Sequence, residues 1–107
     1  FPGLADFPGH DIAVKQMKDF GGMVSFEVKG GKDAGMKFVN SLKLCTIAVS
    51  LGDAETLVEH PASMTHSTYS PEELKEAGIP EGLVRLSAGL ENKEDIIADL
   101  EQALAKI

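Results

Sequence analysis

Three segments of the chain alternate apolar and polar residues, the pattern of a β-strand that buries one of its two faces. They run from Met23 to Val28, from Thr46 to Leu51 and from Leu83 to Ala88. A short extended stretch, Glu55 to Glu59, follows the second segment. The apolar face of each alternating segment is expected to face a core, and its residues are Val24, Phe26 and Val28; Ile47, Val49 and Leu51; and Val84, Leu86 and Ala88.

Four other segments carry the apolar spacing or the end signals of α-helices. Apolar residues recur at helical spacing in residues 11–20 and 33–42. Ser70-Pro71-Glu72-Glu73 predicts a helix start, with serine at the N-cap and glutamate three residues later. Asn92 caps the last predicted helix, whose apolar stripe comprises Ile96, Ile97, Leu100, Ala103, Leu104 and Ile107.

Strands that alternate with helices predict an α/β fold, a two-layer α+β sandwich with the helices packed on one face of a sheet. The connections permit parallel or mixed strand pairing. The second sheet face is small and polar, and either water or another domain is expected to cover it. Its residues are Ser25, Glu27, Ala48, Ser50, Arg85 and Ser87.

Length and charge restrict the class of protein. A chain of 107 residues with 43% hydrophobic residues is long enough for one packed domain, or for a piece of one. The net charge of -7 argues against a nucleic-acid partner, because binding to phosphates needs a basic surface. No apolar run approaches the roughly 18 residues of a membrane span, so no membrane partner is expected.

The single cysteine and the first residues suggest where the chain belongs. Cys45 cannot form a disulfide within the chain, which favours the cytoplasm, and it is expected to be a small core residue. The opening "FPGLADFPGHD" has no initiator methionine and contains two Phe-Pro-Gly turns. It is typical of a linker into a domain, so we expect a piece of a longer protein.

Arg85 is the first candidate for chemistry, because a charged residue stands in the middle of a predicted strand that has no carboxylate. It is either a solvated side chain, for which Glu27 is a candidate partner, or a receptor for a carboxylate ligand. The guanidinium fork matches the two oxygens of a carboxylate, and Ser50 on a neighbouring strand would add donors.

The histidines and glycine pairs give weaker signals. His60 and His66 lie near Ser63 and Thr65, but no third ligand stands at a metal-like spacing and no G-x-S-x-G motif occurs. We therefore expect no metal site, and we expect loop histidines bonded to hydroxyl groups. The glycine pairs do not match a phosphate-binding loop.

Four stretches carry a resemblance to a known family. "FPGL", "GGMVSFEVKGG", "SLGDAETLVEHPASMTH" and "GLVRLSAGLE" occur in this order and at spacings similar to those in the C-terminal domain of the pyridoxal-phosphate enzymes of cysteine and methionine metabolism. The resemblance implies the small C-terminal domain of a fold-type I enzyme, with a mixed, largely antiparallel sheet. Residues 1–20 would be the linker and entry helix, and residues 21–107 the sheet-and-helix core.

Within this family, "AVSLGDAETLVEHPASMTHSTYSPEE" most resembles the methionine γ-lyase branch. That branch implies α,γ-elimination of L-methionine to methanethiol, 2-oxobutyrate and ammonia. The alternatives are cystathionine γ-lyase and O-acetylhomoserine sulfhydrylase of the same family, or a stand-alone regulatory module that binds an amino acid.

The resemblance also implies roles for five residues. Arg85 would hold the substrate α-carboxylate, Ser50 and the backbone around Leu51 would assist it, and Thr65 would lie near the arginine. Val49 would border the thioether of methionine, where cystathionine γ-lyases usually carry an acidic residue. Strict alternation instead places Val49 on the core side of its strand.

The same resemblance places the catalytic groups elsewhere. No catalytic and no cofactor-binding residue is expected in these 107 residues. Pyridoxal 5′-phosphate and its Schiff-base lysine would belong to an upstream domain of the same chain, which would close the polar sheet face. A homotetramer is expected for the full-length enzyme.

Overall fold

The structure is a computed structural model that describes all 107 residues. The strands are β1 (Met23–Glu27), β2 (Thr46–Ile47), β3 (Leu57–Glu59) and β4 (Leu83–Ser87). They form one sheet with the spatial order β1-β4-β3-β2. In this sheet β4 pairs with both β1 and β3 in antiparallel fashion, and β3 pairs with β2 in parallel. The helices are α1 (His10–Gln16), α2 (Gly31–Asn40), a short 3₁₀ helix (Pro61–Ser63), α3 (Pro71–Glu76) and α4 (Lys93–Leu104).

The core lies between one face of this sheet and the helices α2 and α4, which confirms the predicted α/β sandwich and the mixed, largely antiparallel sheet. Hydrophobic burial drives this packing, because each fully buried aliphatic or phenyl side chain contributes about 1.5–3 kcal/mol. The central cluster consists of Val28, Phe38, Val39, Cys45, Val58, Val84, Leu86 and Ala103. Phe26, Leu42, Ile96 and Leu100 pack against it.

Local sequence signals explain several element ends. Ser70 caps α3 in a complete capping box with Glu73, as predicted, and Pro71 occupies the first turn. The Asn92 side chain accepts a hydrogen bond from the Glu94 N–H and caps α4. The last helix buries fewer residues than its stripe predicts, since Ile97, Leu104 and Ile107 are about half exposed.

The second predicted strand was wrong beyond its first two residues. β2 ends at Ile47, and the side chains of Val49 and Leu51 are 59% and 56% exposed. The ladder continues only through the Ala48 N–H, which donates to the Val58 carbonyl. Gly52 then turns the chain in a left-handed conformation (φ 74°). Val49 is therefore not a core residue, and the alternation of residues 48–51 does not report a buried face.

The first twenty residues pack on themselves and contribute nothing to the central cluster. The rings of Phe1 and His10 both lie against Phe20, with centroid distances of 6.3 and 5.7 Å. His10 also bonds the Pro2 carbonyl through Nδ1 at 2.7 Å. α1 begins one residue before the predicted helix and ends four residues earlier.

None of the helices combines the length and the apolar character that crossing a membrane requires.

Candidate site around Arg85

Arg85 is the only arginine of the chain and lies at the centre of β4. Its neighbours Val84 and Leu86 are buried in the core, so the alternation of the strand places Arg85 on the opposite, outer face. The strand register sets it directly between Ser25 of β1 and Glu59 of β3. Its side chain is 27% exposed.

Glu59 is the partner of this arginine. Its Oε2 lies 2.9 Å from Arg85 Nη2, and its own side chain is only 4% exposed. The suggested pairing with Glu27 was therefore wrong, and the carboxylate that the strand of Arg85 lacks is supplied by the neighbouring strand. Glu59 was missed because the pairing depends on β3 lying beside β4, which no local pattern reports. The available signal was the extended stretch "LVEH", in which Leu57 and Glu59 lie on the strand face opposite to Val58.

A loop of the chain covers part of the outer face. Arg85 Nη2 donates to the Ser50 carbonyl at 3.1 Å, and the Gly52 N–H donates to Ser87 Oγ at 2.8 Å. Arg85 and Ser87 both belong to β4, whereas residues 48–52 follow β2 at the edge of the sheet. Residues 48–52 therefore cross over β3 to reach them. This explains why Leu57 and Glu59 are buried although they point away from the core. Part of the face that was expected to be covered by water or by another domain is thus covered by the chain itself.

Thr65 lies near the arginine, but through Glu59. Its hydroxyl donates to Glu59 Oε1 at 2.7 Å, and His66 Nδ1 lies 2.8 Å from the same hydroxyl oxygen. A hydroxyl has one hydrogen, and the carboxylate can only accept it, so Nδ1 of His66 must be the donor to Thr65. The hydrogen bonds from His66 through Thr65 and the ion pair from Arg85 thus converge on the Glu59 carboxylate.

Ser50, Val49 and Leu51 occupy the exposed loop beside Arg85. Ser50 contacts the guanidinium through its backbone carbonyl and not through its hydroxyl. Val49 and Leu51 flank it with exposed apolar side chains. A cleft of about 240 Å³ opens next to the loop, lined by Gly22, Met23, Leu51, Gly52, Ser87 and Ala88.

This arrangement can bind an anion, since Arg85 keeps donors in reserve. Two of its contacts use Nη2, whereas Nε and Nη1 make no hydrogen bond. Three of the five guanidinium N–H groups are therefore free for a ligand. The four strands contain no lysine. The site therefore suits a carboxylate, but these strands offer no amine for an aldehyde cofactor.

The other candidate residues have structural partners. His60 is fully buried; its Nε2 lies 2.7 Å from the Glu81 carbonyl, and its Nδ1 lies 2.7 Å from Ser63 Oγ. A carbonyl only accepts, so Nε2 is the donor there. The prediction of loop histidines bonded to hydroxyls is confirmed. Cys45 is buried as predicted, and burial, together with the neighbouring Asp99 carboxylate, raises the pKa of its thiol to about 12.

Asp99 is a second buried carboxylate that the sequence reading missed. It accepts hydrogen bonds from three consecutive backbone N–H groups, those of Lys43, Leu44 and Cys45, at 2.8, 2.9 and 2.8 Å. Burial alone would raise its pKa, but these donors outweigh burial and lower the pKa to about 2. A carboxylate within the apolar stripe of α4, three residues after Ile96, was the signal. Asp99 ties the loop after α2 to α4.

Comparisons with known proteins identify the family of this chain. The sequence model of the family described as Cys/Met metabolism PLP-dependent enzyme matches residues 1–105. The L-methionine γ-lyases of Fusobacterium nucleatum subsp. polymorphum and Treponema denticola are 69% and 64% identical over 107 residues. A cystathionine β-lyase of Lactococcus lactis subsp. cremoris is 49% identical over 106 residues, 99% of this chain and 28% of its own length.

A solved structure matches the fold as well. The crystal structure of cystathionine γ-synthase from Xanthomonas oryzae pv. oryzae in complex with cystathionine superposes with a TM-score of 0.87 and 50% identity. The match covers 99% of this chain and 27% of the cystathionine γ-synthase chain. The two L-methionine γ-lyases each match all of this chain, which spans 27% of their length.

Proposed function

Because this chain belongs to the family of Cys/Met metabolism PLP-dependent enzymes, we propose that it is the substrate-orienting C-terminal domain of a methionine γ-lyase. The complete enzyme would convert L-methionine and water to methanethiol, 2-oxobutyrate and ammonia. The higher identity to methionine γ-lyases than to a cystathionine β-lyase supports this choice of substrate.

One observation carries the role of the domain: Arg85 presents three free N–H donors beside an exposed apolar loop. The α-carboxylate of an amino acid would bind the guanidinium, since charge-assisted hydrogen bonds between these groups are roughly twice as strong as neutral ones. Val49 and Leu51, one residue to either side of Ser50, would contact the apolar part of the substrate. The domain would thus hold one end of methionine and orient the rest.

The cofactor would be held by a part of the enzyme outside these 107 residues. Pyridoxal 5′-phosphate supplies, when bound, the electron sink that such eliminations need. The part played by this chain would be to orient the substrate and to exclude water from the outer face of the sheet. The cytoplasmic location and the homotetramer also belong to this proposal; the single buried cysteine supports the former.

The reaction is tested by incubating the purified full-length enzyme with methionine, cystathionine and O-acetylhomoserine plus sulfide. Methanethiol and 2-oxobutyrate from methionine, at the highest kcat/KM of the three, are the expected result. The alternative within the family is a cystathionine-cleaving or cystathionine-forming enzyme, which the cystathionine β-lyase and γ-synthase relatives favour. A preference for cystathionine would establish that alternative.

We expect the 107 residues by themselves to be folded but inactive. The continuous core between the sheet, α2 and α4 supports folding, and the lack of a strand lysine beside Arg85 supports inactivity. The chain is mixed with pyridoxal 5′-phosphate and methionine, and 2-oxobutyrate is measured beside a circular dichroism spectrum. The full-length enzyme serves as the positive control. Turnover by the short chain at a comparable rate would contradict the proposal.

Val49→Glu in the full-length enzyme is expected to reduce kcat/KM for methionine at least tenfold more than kcat/KM for cystathionine. A carboxylate enclosed beside a thioether stays unpaired, which costs at least about 1.4 kcal/mol, whereas the distal ammonium of cystathionine can pair with it. Val49→Gln is the matched control, because it has the size of glutamate without the charge. Equal losses of kcat/KM on the two substrates would show that Val49 does not contact the substrate.

A further inference from the structure

We propose that Glu59 is a positioning residue that sets the orientation of Arg85 for its ligand. The inference rests on the proposed function of Arg85 as the receptor of the substrate α-carboxylate. Glu59 would not touch the substrate; it would act through the guanidinium that it holds.

The first support is the way in which the fold fixes Glu59 itself. The antiparallel register of β3 and β4 places Glu59 directly opposite Arg85, so the backbone ladder sets the distance between the two side chains. Both carboxylate oxygens are occupied, one by Arg85 Nη2 at 2.9 Å and the other by the Thr65 hydroxyl at 2.7 Å. A buried carboxylate held at both oxygens is a rigid anchor for a long, flexible arginine side chain.

The second support is the distribution of donors on the guanidinium. Nη2 carries two hydrogens and makes both protein contacts, to Glu59 and to the Ser50 carbonyl. Each two-pronged edge of a guanidinium uses one of the Nη2 hydrogens. A carboxylate ligand can therefore take a two-pronged grip only after one of these contacts opens. Glu59 is buried and Ser50 lies in an exposed loop, so the Ser50 contact is the one that yields.

Glu59 also carries charge, and its effects as an anchor and as an anion must be separated. Its negative charge weakens the attraction of Arg85 for a second carboxylate, whereas its contact with Nη2 at 2.9 Å orients the guanidinium. Glu59→Asp keeps the charge but shortens the reach by one methylene group. Glu59→Gln removes the charge but keeps the reach, because the amide oxygen can accept from Arg85 while the amide nitrogen donates to Thr65.

The test measures inhibition constants of two probes on the full-length enzyme. Norleucine resembles methionine and has an α-carboxylate, whereas pentylamine has the same amine and carbon chain without the carboxylate. The ratio of their inhibition constants reports the carboxylate grip alone. We expect Glu59→Asp to reduce the preference for norleucine roughly tenfold, with pentylamine unchanged, because a displacement of about 1 Å at a positioning contact can cost up to about 100-fold. Glu59→Gln is expected to retain most of the preference.

Two further variants complete the design. Glu27→Gln is the matched control, since Glu27 is an exposed carboxylate of the same sheet face and makes no ion pair with Arg85; both inhibition constants should stay unchanged. Thr65→Val removes the hydroxyl that holds Glu59 and leaves the ion pair in place. It decides the question if Glu59→Asp fails to fold, and a several-fold loss of the norleucine preference is expected.

The outcomes distinguish this inference from the proposed function. If Arg85→Lys leaves the norleucine preference intact, Arg85 is not the carboxylate receptor and the proposed function fails. If Arg85→Lys removes the preference while Glu59→Asp and Thr65→Val retain it, the proposed function stands and the positioning role of Glu59 is overturned. Equal weakening of both probes by Glu59→Asp would likewise overturn it, because a purely structural defect affects both.

Discussion

Arg85→Lys in the full-length enzyme is expected to lower kcat/KM for methionine roughly 10- to 150-fold, because the substrate would lose a charge-assisted hydrogen bond worth about 1.5–3 kcal/mol. Lysine has three N–H donors where arginine has five. Before the substrate binds, Glu59 and the Ser50 carbonyl would occupy two of them, which leaves one unused donor where arginine has three. Most of the loss should appear in KM, since the α-carboxylate is bound in the ground state as well.

The measurement is steady-state kinetics on methionine beside a melting curve and the cofactor absorbance. The melting temperature and the cofactor absorbance should stay close to those of the unchanged enzyme, because the ammonium group of the introduced lysine still pairs with Glu59. Arg85→Met is a poorer probe: it leaves the buried Glu59 carboxylate without its cation, which costs about 3–5 kcal/mol of stability. Unchanged kinetics in Arg85→Lys would return Arg85 to the class of structural ion pairs.

Local patterns predicted those parts of the fold that local physics determines. The alternation in β1 and β4 identified the core face correctly, since Val84 and Leu86 are buried and Arg85 faces outward. The capping box of α3 was found because its two hydrogen bonds join residues three positions apart. These features need no knowledge of how the strands are ordered.

The order of the strands explains why the sequence pattern did not predict the end of the second strand or the position of Val49. β2 is the edge strand, and the chain leaves it after Ala48 to cross the outer face of β3. The contacts that hold this crossing join residues 35 positions apart, Ser50 to Arg85 and Gly52 to Ser87. Alternation within 46–51 therefore suggested a longer strand and a core position for Val49, both of which were wrong.

The residues of the candidate site were likewise predicted only where a local pattern indicates them. The strand pattern singled out Arg85 as an unusual charge, but its ligand came from the family resemblance. Glu59 was missed because its role arises from the neighbouring strand. Asp99 was missed because it bonds backbone N–H groups more than fifty residues away, and backbone donors leave no trace in the sequence.

Asp99→Asn is expected to destabilise the 107-residue chain by about 2–4 kcal/mol, a large effect for a change that replaces one oxygen by an NH₂ group. The carboxylate can accept from all three N–H groups of residues 43–45, whereas an amide has one oxygen and turns two N–H donors toward backbone donors. At least one buried N–H would then lose its acceptor. Urea unfolding at neutral pH measures the loss, and Glu101→Gln, an exposed carboxylate of the same helix, is the control.

Acid provides an independent check of the same contact. The folded pKa of Asp99 lies below its ordinary value of 3.8, at about 2, so its stabilising effect is complete above about pH 4 and is lost as the pH falls through 2. Asparagine does not titrate, so the difference in unfolding free energy between the two proteins should shrink across this interval. A difference that stays constant down to pH 2 would show that the carboxylate charge has no part in holding the loop. A variant as stable as the unchanged chain at neutral pH would remove Asp99 as the tie between α4 and the loop after α2.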